Sequence, residues 1–186
     1  MSPLGQHPDS TRAMRMGPVK FVVPILYGPE SPLEEALCEI SRRFGTMDYR
    51  SVPYPFDFTA YYQPEMGIGL HRIIVSFADL IPPEDIRLIK RATDAMEDRW
   101  RLDGRRSVNL DPGYMDYFKL VLASNKAGGN KVAVGDGVWL DINLLYEKRQ
   151  WKTLPWTFPD FKTGRYDRDL CAIRDRYKVQ MRNLHP

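Results

Sequence analysis

The stretch VKFVVPILYGPESPLEEALCEISRRFG, residues 19–45, decides the fold. Its first nine residues are apolar with little alternation, which predicts a central strand buried on both faces. Gly28-Pro29 ends this strand. Ser31-Pro32-Leu33-Glu34 then has the form of a capping box with proline at the first helical position, and an apolar stripe with helical spacing follows as far as Gly45. The stretch therefore predicts a strand followed directly by a helix.

The next part of the chain continues this alternation of strands and helices. Tyr49 to Tyr62 is rich in aromatic residues and contains two prolines, which predicts an irregular strand, whereas His71 to Phe77 predicts a regular one. A helix is predicted between Pro82 and Gly104, and Arg106 to Leu110 predicts a short strand that ends in a turn. The resulting order, β-α-β-β-α-β, is that of the split βαβ, or ferredoxin-like, arrangement with two helices on one face of an antiparallel sheet.

The remaining residues predict an extension of that core. Residues 117–124 predict a further strand, and two apolar segments that flank Gly135-Asp136-Gly137 predict a β-hairpin. Apolar residues at helical spacing near the C-terminus predict a last helix. We therefore predict one α+β domain over residues 19–186, with a ferredoxin-like antiparallel sheet core extended by a C-terminal β-hairpin and helix, and a disordered N-terminal extension over residues 1–18.

Composition excludes several functional classes. The 27 Lys and Arg against 24 Asp and Glu give a net charge of +3, which is too small for a protein that coats a nucleic-acid duplex. The apolar stretches are far shorter than the roughly 20 residues that a membrane span requires. Cys38 and Cys171 fall within predicted helices beside apolar residues, which is typical of buried free thiols. These observations predict a cytoplasmic protein with no membrane partner.

Polar residues of the irregular second strand suggest a site. Asp57, Thr59 and Tyr61 share one face of that strand by its period of two. Side chains from neighbouring segments that could join them are Glu65, Arg72, Lys119 and Asp141. The alternative is an ordinary solvated sheet face with cross-strand ion pairs.

The residue types on this face point to two kinds of ligand. Carboxylates are the ligands that Mg²⁺ prefers, and the candidate metal ligands are Asp57, Asp111 and Asp141. Basic side chains bind phosphate or carboxylate groups, and the candidates for this role are Arg72, Lys119 and Lys126. The sequence therefore predicts a small anionic ligand, with magnesium as a hypothetical cofactor.

A turn and a loop carry further candidates. Asn109 and Tyr114 flank Asp111-Pro112-Gly113, where the aspartate is either a turn residue that binds the backbone or a metal ligand or general base in a cleft. Ser124-Asn125-Lys126 could offer backbone amides, a hydroxyl and an ammonium group to a phosphate, and its alternative is a flexible hairpin loop. Trp156 could stack on a base or sugar, or it could cover the edge of the core.

Four blocks of sequence resemble the signature segments of one family. They are Phe58-Thr59-Ala60-Tyr61-Tyr62 through Glu65-Met66-Gly67, Val108-Asn109-Leu110-Asp111-Pro112-Gly113-Tyr114, Val121-Leu122-Ala123-Ser124-Asn125-Lys126 and Trp156-Thr157-Phe158-Pro159-Asp160. In this order they are similar to the bacterial domain of unknown function 4416 family, between about Val19 and Tyr177. The resemblance implies an uncharacterised protein, and it brings no reaction, cofactor or catalytic residue to this chain.

Three functions follow from these patterns, and whether the chain is an enzyme stays open. The first is a small enzyme or binding protein for a phosphate-bearing or nucleotide-like ligand, with Asp57, Glu65 and Asp111 as the catalytic candidates. Its ligand-binding candidates are Thr59, Tyr61, Arg72, Asn109, Tyr114, Lys119, Ser124, Lys126 and Trp156. The second is an RNA-binding module, because split βαβ sheets bind single strands through exposed aromatic side chains. The third is a protein-interaction module anchored by Trp151, Trp156 and Phe158.

Overall fold

A large antiparallel sheet with helices on both faces forms the body of the protein. A computed structural model describes residues 17–184, so residues 1–16 of the predicted N-terminal extension lie outside the described residues. The strands are β1 (Val19–Tyr27), β2 (Met47–Arg50), β3 (Tyr54–Pro55), β4 (His71–Ile81), β5 (Arg101–Leu102), β6 (Arg105–Arg106), β7 (Val108–Leu110), β8 (Gly113–Met115), β9 (Lys119–Ser124), β10 (Val132–Gly135), β11 (Val138–Glu147) and β12 (Gln150–Thr153). The helices are α1 (Leu33–Phe44), α2 (Gln63–Met66), α3 (Ile86–Arg99) and α4 (Asp167–Leu184). The predicted α+β class is confirmed.

The sheet is arranged around β1. Its lateral order is β10-β11-β9-β8-β1-β4-β2, with β12 beside β11, β3 beside β4 and β7 beside β1. The pairs on either side of β1 are antiparallel. Every residue of β1 from Val19 to Leu26 is buried, which confirms the prediction of a central strand covered on both faces.

Side chains of β1 alternate between two hydrophobic cores. Phe21, Val23 and Ile25 pack with the apolar faces of α1 and α3. Val22 points to the opposite face, as neighbouring strand residues do, and joins the core beneath α4 together with Ile74 of β4. Both faces of β1 are therefore covered, and so are those of β4 between Arg72 and Phe77.

Helix α1 begins differently from the sequence prediction. Pro32 occupies the position before the helix, and no side chain caps the first turn. Ser31 Oγ instead accepts a hydrogen bond from the Gly28 N–H (2.7 Å) and donates one to the Ser107 carbonyl (2.5 Å). The predicted capping box is therefore wrong. The predicted end at Gly45 is confirmed, since its φ of 99° lies in the region that favours glycine.

The second predicted strand is wrong over most of its length. Only β2 and β3 form within it, and Phe56–Tyr62 follows an irregular path to α2. The two prolines of this segment have no N–H to donate to a neighbouring strand, so a long regular strand cannot form here. Asp57, Thr59 and Tyr61 consequently do not share a sheet face.

The later elements follow the predictions more closely. The hairpin β10–β11 turns at the predicted glycines, and α4 buries Leu170, Ile173 and Tyr177. The helix predicted as far as Gly104 ends at Arg99, and the two-residue strands β5 and β6 follow it as a separate hairpin. No helix within residues 17–184 is long and apolar enough to cross a membrane.

The two cysteines differ in their exposure. Cys38 is exposed, so the prediction of a buried thiol is wrong there, whereas Cys171 is half-buried. Cys38 lies on α1, between residues of the inward stripe, and faces away from the core that Ala36, Leu37 and Ile40 enter. Neither cysteine forms a disulfide within the described part of the chain.

An interruption in the strand beside β1 opens the sheet. β7 and β8 pair with β1 in one continuous register and are separated only by Asp111 and Pro112. β8 also pairs with β9, and the last backbone bond there joins the Ala123 N–H to the Pro112 carbonyl (2.9 Å). β7 pairs with no strand other than β1 among residues 17–184. On the β7 side of Pro112, no backbone pairing joins β7 to β9, so these two strands diverge there.

A proline on β1 marks the same position. The register places Pro24 opposite Asp111, and the Asp111 N–H donates to the Pro24 carbonyl (3.0 Å). Because Pro24 has no N–H, the reciprocal bond to the Asp111 carbonyl cannot form. The backbone of Asp111 is thus held on one side only, at the point where the sheet opens.

Gly113 lets β8 and β9 approach each other closely, which gives a direct test of this arrangement. A Cβ at Gly113 would lie 2.1 Å from the Val121 carbonyl oxygen and 2.7 Å from Leu122 Cδ2. We expect Gly113→Ala to lower the free energy of unfolding by about 3 kcal/mol, because the two strands must separate to admit the methyl group. Chemical denaturation followed by circular dichroism measures the change.

Gly129→Ala is the matched control, since no atom lies within 4 Å of a Cβ at that position. We expect it to change the free energy of unfolding by less than about 0.5 kcal/mol. Equal effects of the two substitutions would contradict the close approach of β8 and β9.

Candidate functional site

A cavity of about 480 Å³ lies where β7 and β9 diverge. This volume falls within the range of small-molecule sites, roughly 300 to 1,000 Å³. Its walls come from the irregular segment before α2, from the ends of β7 and β9, from β4 and β11, and from the chain just before α4. Its inner end is buried, and its mouth is exposed to solvent.

Arg72 of β4 forms the floor of the inner end. It is 1% exposed, and its guanidinium carbon lies 5.1 and 5.6 Å from the ring centroids of Phe56 and Phe161. Arg72 Nε lies 3.2 Å from Asp160 Oδ2, and Arg72 Nη2 lies 3.6 Å from Asp111 Oδ2. Burial acts to lower the pKa of Arg72, but these two carboxylates outweigh it and raise the pKa. The guanidinium is therefore charged and fixed in place.

Arg106 connects three elements beside that floor. It donates to both carboxylate oxygens of Glu65 on α2 (2.7 and 3.1 Å), to Glu97 Oε2 on α3 (3.0 Å) and to Asn109 Oδ1 on β7 (2.6 Å). Burial raises the pKa of Glu97, although nearby basic groups act to lower it. Since Asn109 Oδ1 accepts from Arg106, its amide nitrogen remains for another partner.

The mouth of the cavity carries basic side chains from the chain between β9 and β10. Lys126 is exposed, and its Nζ donates to the Tyr61 hydroxyl and lies 4.4 Å from the centroid of that ring. Lys131 Nζ donates to Ser124 Oγ (3.1 Å). Asn125 Nδ2 donates to a carboxylate of α3 (2.8 Å), which ties this segment to the helix. The mouth is therefore basic and held in position.

Asp141 of β11 adds a buried carboxyl group to the wall. It is 3% exposed and lies opposite Leu122 of β9 in the sheet register. Burial raises its pKa, while the charge of Lys131 and polar groups of Asn130 and Trp156 act to lower it.

Buried polar atoms without partners are concentrated at this cavity. Seven buried side-chain nitrogen and oxygen atoms within residues 17–184 have no hydrogen-bond partner. Five of them belong to residues that line the cavity, namely Arg72 Nε and Nη1, Asn109 Nδ2, Asp111 Oδ2 and Asp141 Oδ1. Two of these, Arg72 Nε and Asp111 Oδ2, still lie in ion pairs, at 3.2 Å from Asp160 Oδ2 and 3.6 Å from Arg72 Nη2. Such atoms are uncommon because each costs about 1 to 3 kcal/mol. Their concentration makes this cavity the candidate functional site of the described part of the chain.

The structure divides the sequence-predicted site residues into two groups. Eight of them line the cavity, namely Thr59, Tyr61, Arg72, Asn109, Asp111, Ser124, Lys126 and Asp141. Glu65 reaches it only through Arg106. Four others lie elsewhere: Asp57 pairs with Arg165 (3.3 Å), Tyr114 packs in the core beneath α1 and α3, Lys119 pairs with Asp116, and Trp156 donates to the Ile142 carbonyl (2.9 Å).

The three carboxylates predicted as magnesium ligands are not brought together. Asp111 and Asp141 line the cavity, whereas Asp57 is exposed outside it. Within residues 17–184, no three His, Cys, Asp or Glu side chains meet in an arrangement that could hold a metal ion.

Sequence reasoning missed four charged residues of the cavity, namely Lys90, Arg106, Lys131 and Asp160. Two of them had a signal. Asp160 ends the block Trp156-Thr157-Phe158-Pro159-Asp160, and Lys131 comes just after the glycines of the β9–β10 loop. Lys90 and Arg106 had none, because they reach the cavity only where β7 and β9 diverge.

Comparison with known proteins gives a family and no function. The family model described as Domain of unknown function (DUF4416) matches residues 17–177. No curated protein and no solved structure matches the chain. The matched segment includes all the cavity residues named above, and it confirms the resemblance carried by the four sequence blocks. Since the match covers most of the 186 residues, the chain belongs to the DUF4416 family.

Proposed function

We propose that the protein binds a small phosphate-bearing ligand in the cavity where β7 and β9 diverge. One observation carries the proposal: five buried polar atoms without a hydrogen-bond partner, two of them in ion pairs, belong to residues around a single cavity of metabolite size. A ligand that supplies partners for these atoms offsets the free-energy cost of burying them without hydrogen bonds. The proposal concerns binding and names no reaction.

The basic mouth is the favoured place for the phosphate. The polar contacts of Lys126 and Lys131 are to the hydroxyl groups of Tyr61 and Ser124, not to carboxylates. Their positive charges are thus free of direct pairing in the described part of the chain, unlike those of Arg72 and Arg106. Lysine binds phosphate as a point charge, and a serine hydroxyl can add a hydrogen bond.

Aromatic side chains support a ring-bearing ligand. Phe56, Tyr62 and Phe158 line the cavity, and their rings add apolar surface to its walls. A phosphate held at the mouth and a ring against these side chains match the phosphate-bearing or nucleotide-like class predicted from the sequence.

The two alternative functions have less in their favour. RNA binding by such a sheet depends on exposed aromatic side chains of the central strands, but Phe21 of β1 is fully buried and Tyr27 is half-buried. A protein-interaction patch depends on Trp151, Trp156 and Phe158. Trp151 is only 7% exposed, and Phe158 lines the cavity, so a contiguous patch is not offered.

We also propose that the N-terminal part of the sheet is a ferredoxin-like, split βαβ unit. The chain order β1-α1-β2-β4-α3-β7/β8 supports this, as does the lateral order β8-β1-β4-β2 with antiparallel pairing. The apolar faces of α1 and α3 enter the same core. β9 to β12 and α4 then extend the unit, as predicted.

The first test of the proposal removes the charges at the mouth. In isothermal titration calorimetry with adenosine monophosphate, fructose monophosphate and inorganic phosphate, we expect at least one probe to bind. We expect the double variant Lys126→Met, Lys131→Met to weaken that binding about tenfold or more, because it deletes charge-assisted contacts and keeps the aliphatic stems.

Lys119→Met is the matched control, since Lys119 pairs with Asp116 and does not line the cavity. We expect it to leave the affinity unchanged. Binding of none of the three probes, or an equal loss in the Lys119 variant, would count against the proposed site.

The second test concerns the cost of the buried carboxyl group at Asp141. A carboxyl whose pKa is raised on folding contributes stability below its unfolded pKa, and this contribution is lost as pH rises through its folded pKa. Asparagine does not titrate. We therefore expect the free energy of unfolding of Asp141→Asn, relative to wild type, to increase as pH rises from about 4 to about 7. Urea unfolding at several pH values measures it, and a difference that shrinks with pH would contradict the raised pKa.

A further inference from the structure

The cations at the inner end of the cavity are already paired with carboxylates. Arg72 lies within 3.2 Å of Asp160 and 3.6 Å of Asp111. Arg106 is bonded to two further carboxylates, one from α2 and one from α3. Lys90, the third cation of the inner end, pairs with Asp94 of the same helix (2.8 Å). The basic mouth differs, because Lys126 and Lys131 contact hydroxyl groups instead of carboxylates.

The atoms of the inner end that lack a hydrogen-bond partner include both donors and an acceptor, and the acceptor also lies 3.6 Å from Arg72 Nη2. Arg72 Nη1 and Asn109 Nδ2 are donors, on side chains that are 1% and 3% exposed, and Asp111 Oδ2 is an acceptor. A sugar hydroxyl can accept from the first two and donate to the third, and so can the carbonyl and amino edge of a base. A phosphate or carboxylate supplies acceptors only, and it brings a negative charge against Asp111.

Arg72 and Asp111 are restricted in how far they can move to accommodate a different ligand group. Arg72 is held between the rings of Phe56 and Phe161. The backbone of Asp111 is bonded to the Pro24 carbonyl of the buried central strand (3.0 Å). The pattern of donors and charge at the inner end is therefore preformed, and a ligand has to match it.

From this arrangement we infer that the ligand is phosphorylated at one end only. The phosphate of this ligand lies at the mouth of the cavity, and its far end is an uncharged ring with hydroxyl or amino groups. Asp111 determines the preference for a single phosphate, because its carboxylate repels a second anionic group. The inference rests on the proposed function and narrows it to monophosphate esters. Sugar monophosphates and nucleoside monophosphates share this chemistry.

Matched pairs of ligands test the inference with the purified full chain. Calorimetry compares fructose monophosphate with fructose bisphosphate, and adenosine monophosphate with adenosine bisphosphate, in which the second phosphate is on the ribose. We expect the monophosphate to bind at least about tenfold more tightly than the bisphosphate in one pair, and that pair identifies the ligand as a sugar or a nucleotide.

Two variants of the inner end change this ratio in opposite directions. Asp111→Asn should bring the two affinities to within about threefold, whereas Asn109→Asp adds a carboxylate and should widen the preference. Asp57→Asn, outside the cavity, should leave the ratio unchanged. Circular dichroism shows whether Asp111→Asn folds. If it does not fold, the ratio of affinities measured for Asn109→Asp tests the inference.

The outcomes separate the two proposals. If monophosphate and bisphosphate bind equally, or if neither inner variant alters the ratio of their affinities, the inference that the ligand has one phosphate is wrong. The proposal of a phosphate-binding site is then still supported. If no ester of either pair binds, both the inference and the proposed function fail.

Discussion

The burial of β1 on both faces and along both edges is the constraint on which the rest of the structure depends. A strand with helices above and below can pair only in the register that sends Phe21, Val23 and Ile25 to one core and Val22 to the other. That register fixes β4 on one side and β7 with β8 on the other. The position of Asp111, at the break between β7 and β8, follows from it.

Much of the fold could be predicted because its signals are local. Each of three signals is contained within a short stretch of consecutive residues. They are the apolar run of β1, the helical stripe of α1 and the glycines of the β10–β11 turn. Ser31 and Phe56–Tyr62 could not be predicted in this way. The Ser31 hydroxyl bonds to residue 107, and the path of residues 56–62 depends on α2 and on packing beneath Leu26. Contacts distant in sequence overrode the local pattern in both places.

The candidate site was predictable in part for the same reason. The sequence pointed to two parts of the site because polar residues follow predicted strands there. They are the end of β9, with Ser124 and Lys126, and the turn at Asp111. Arg106 and Lys90 line the cavity because β6 and α3 pack beside β7, and this packing depends on contacts that no local sequence pattern reports. The charges around Arg72 are also costly to bury, because ions lose hydration that their mutual attraction only partly replaces. Such a cluster stabilises little, so its presence calls for a reason other than folding.

The contact between Lys126 and Tyr61 at the mouth bears on how fast a ligand enters and leaves. The ammonium group rests on the ring and hydroxyl of Tyr61, so in the proposed site it has to exchange one partner for another when a phosphate arrives. A cation over an exposed ring gains only about 0.5 to 1 kcal/mol, so replacing Tyr61 by a phosphate as the partner of Lys126 costs little free energy. If the proposed site binds a phosphate, its entry depends on the rotation of two exposed side chains, Lys126 and Tyr61, a motion in the picosecond-to-nanosecond range.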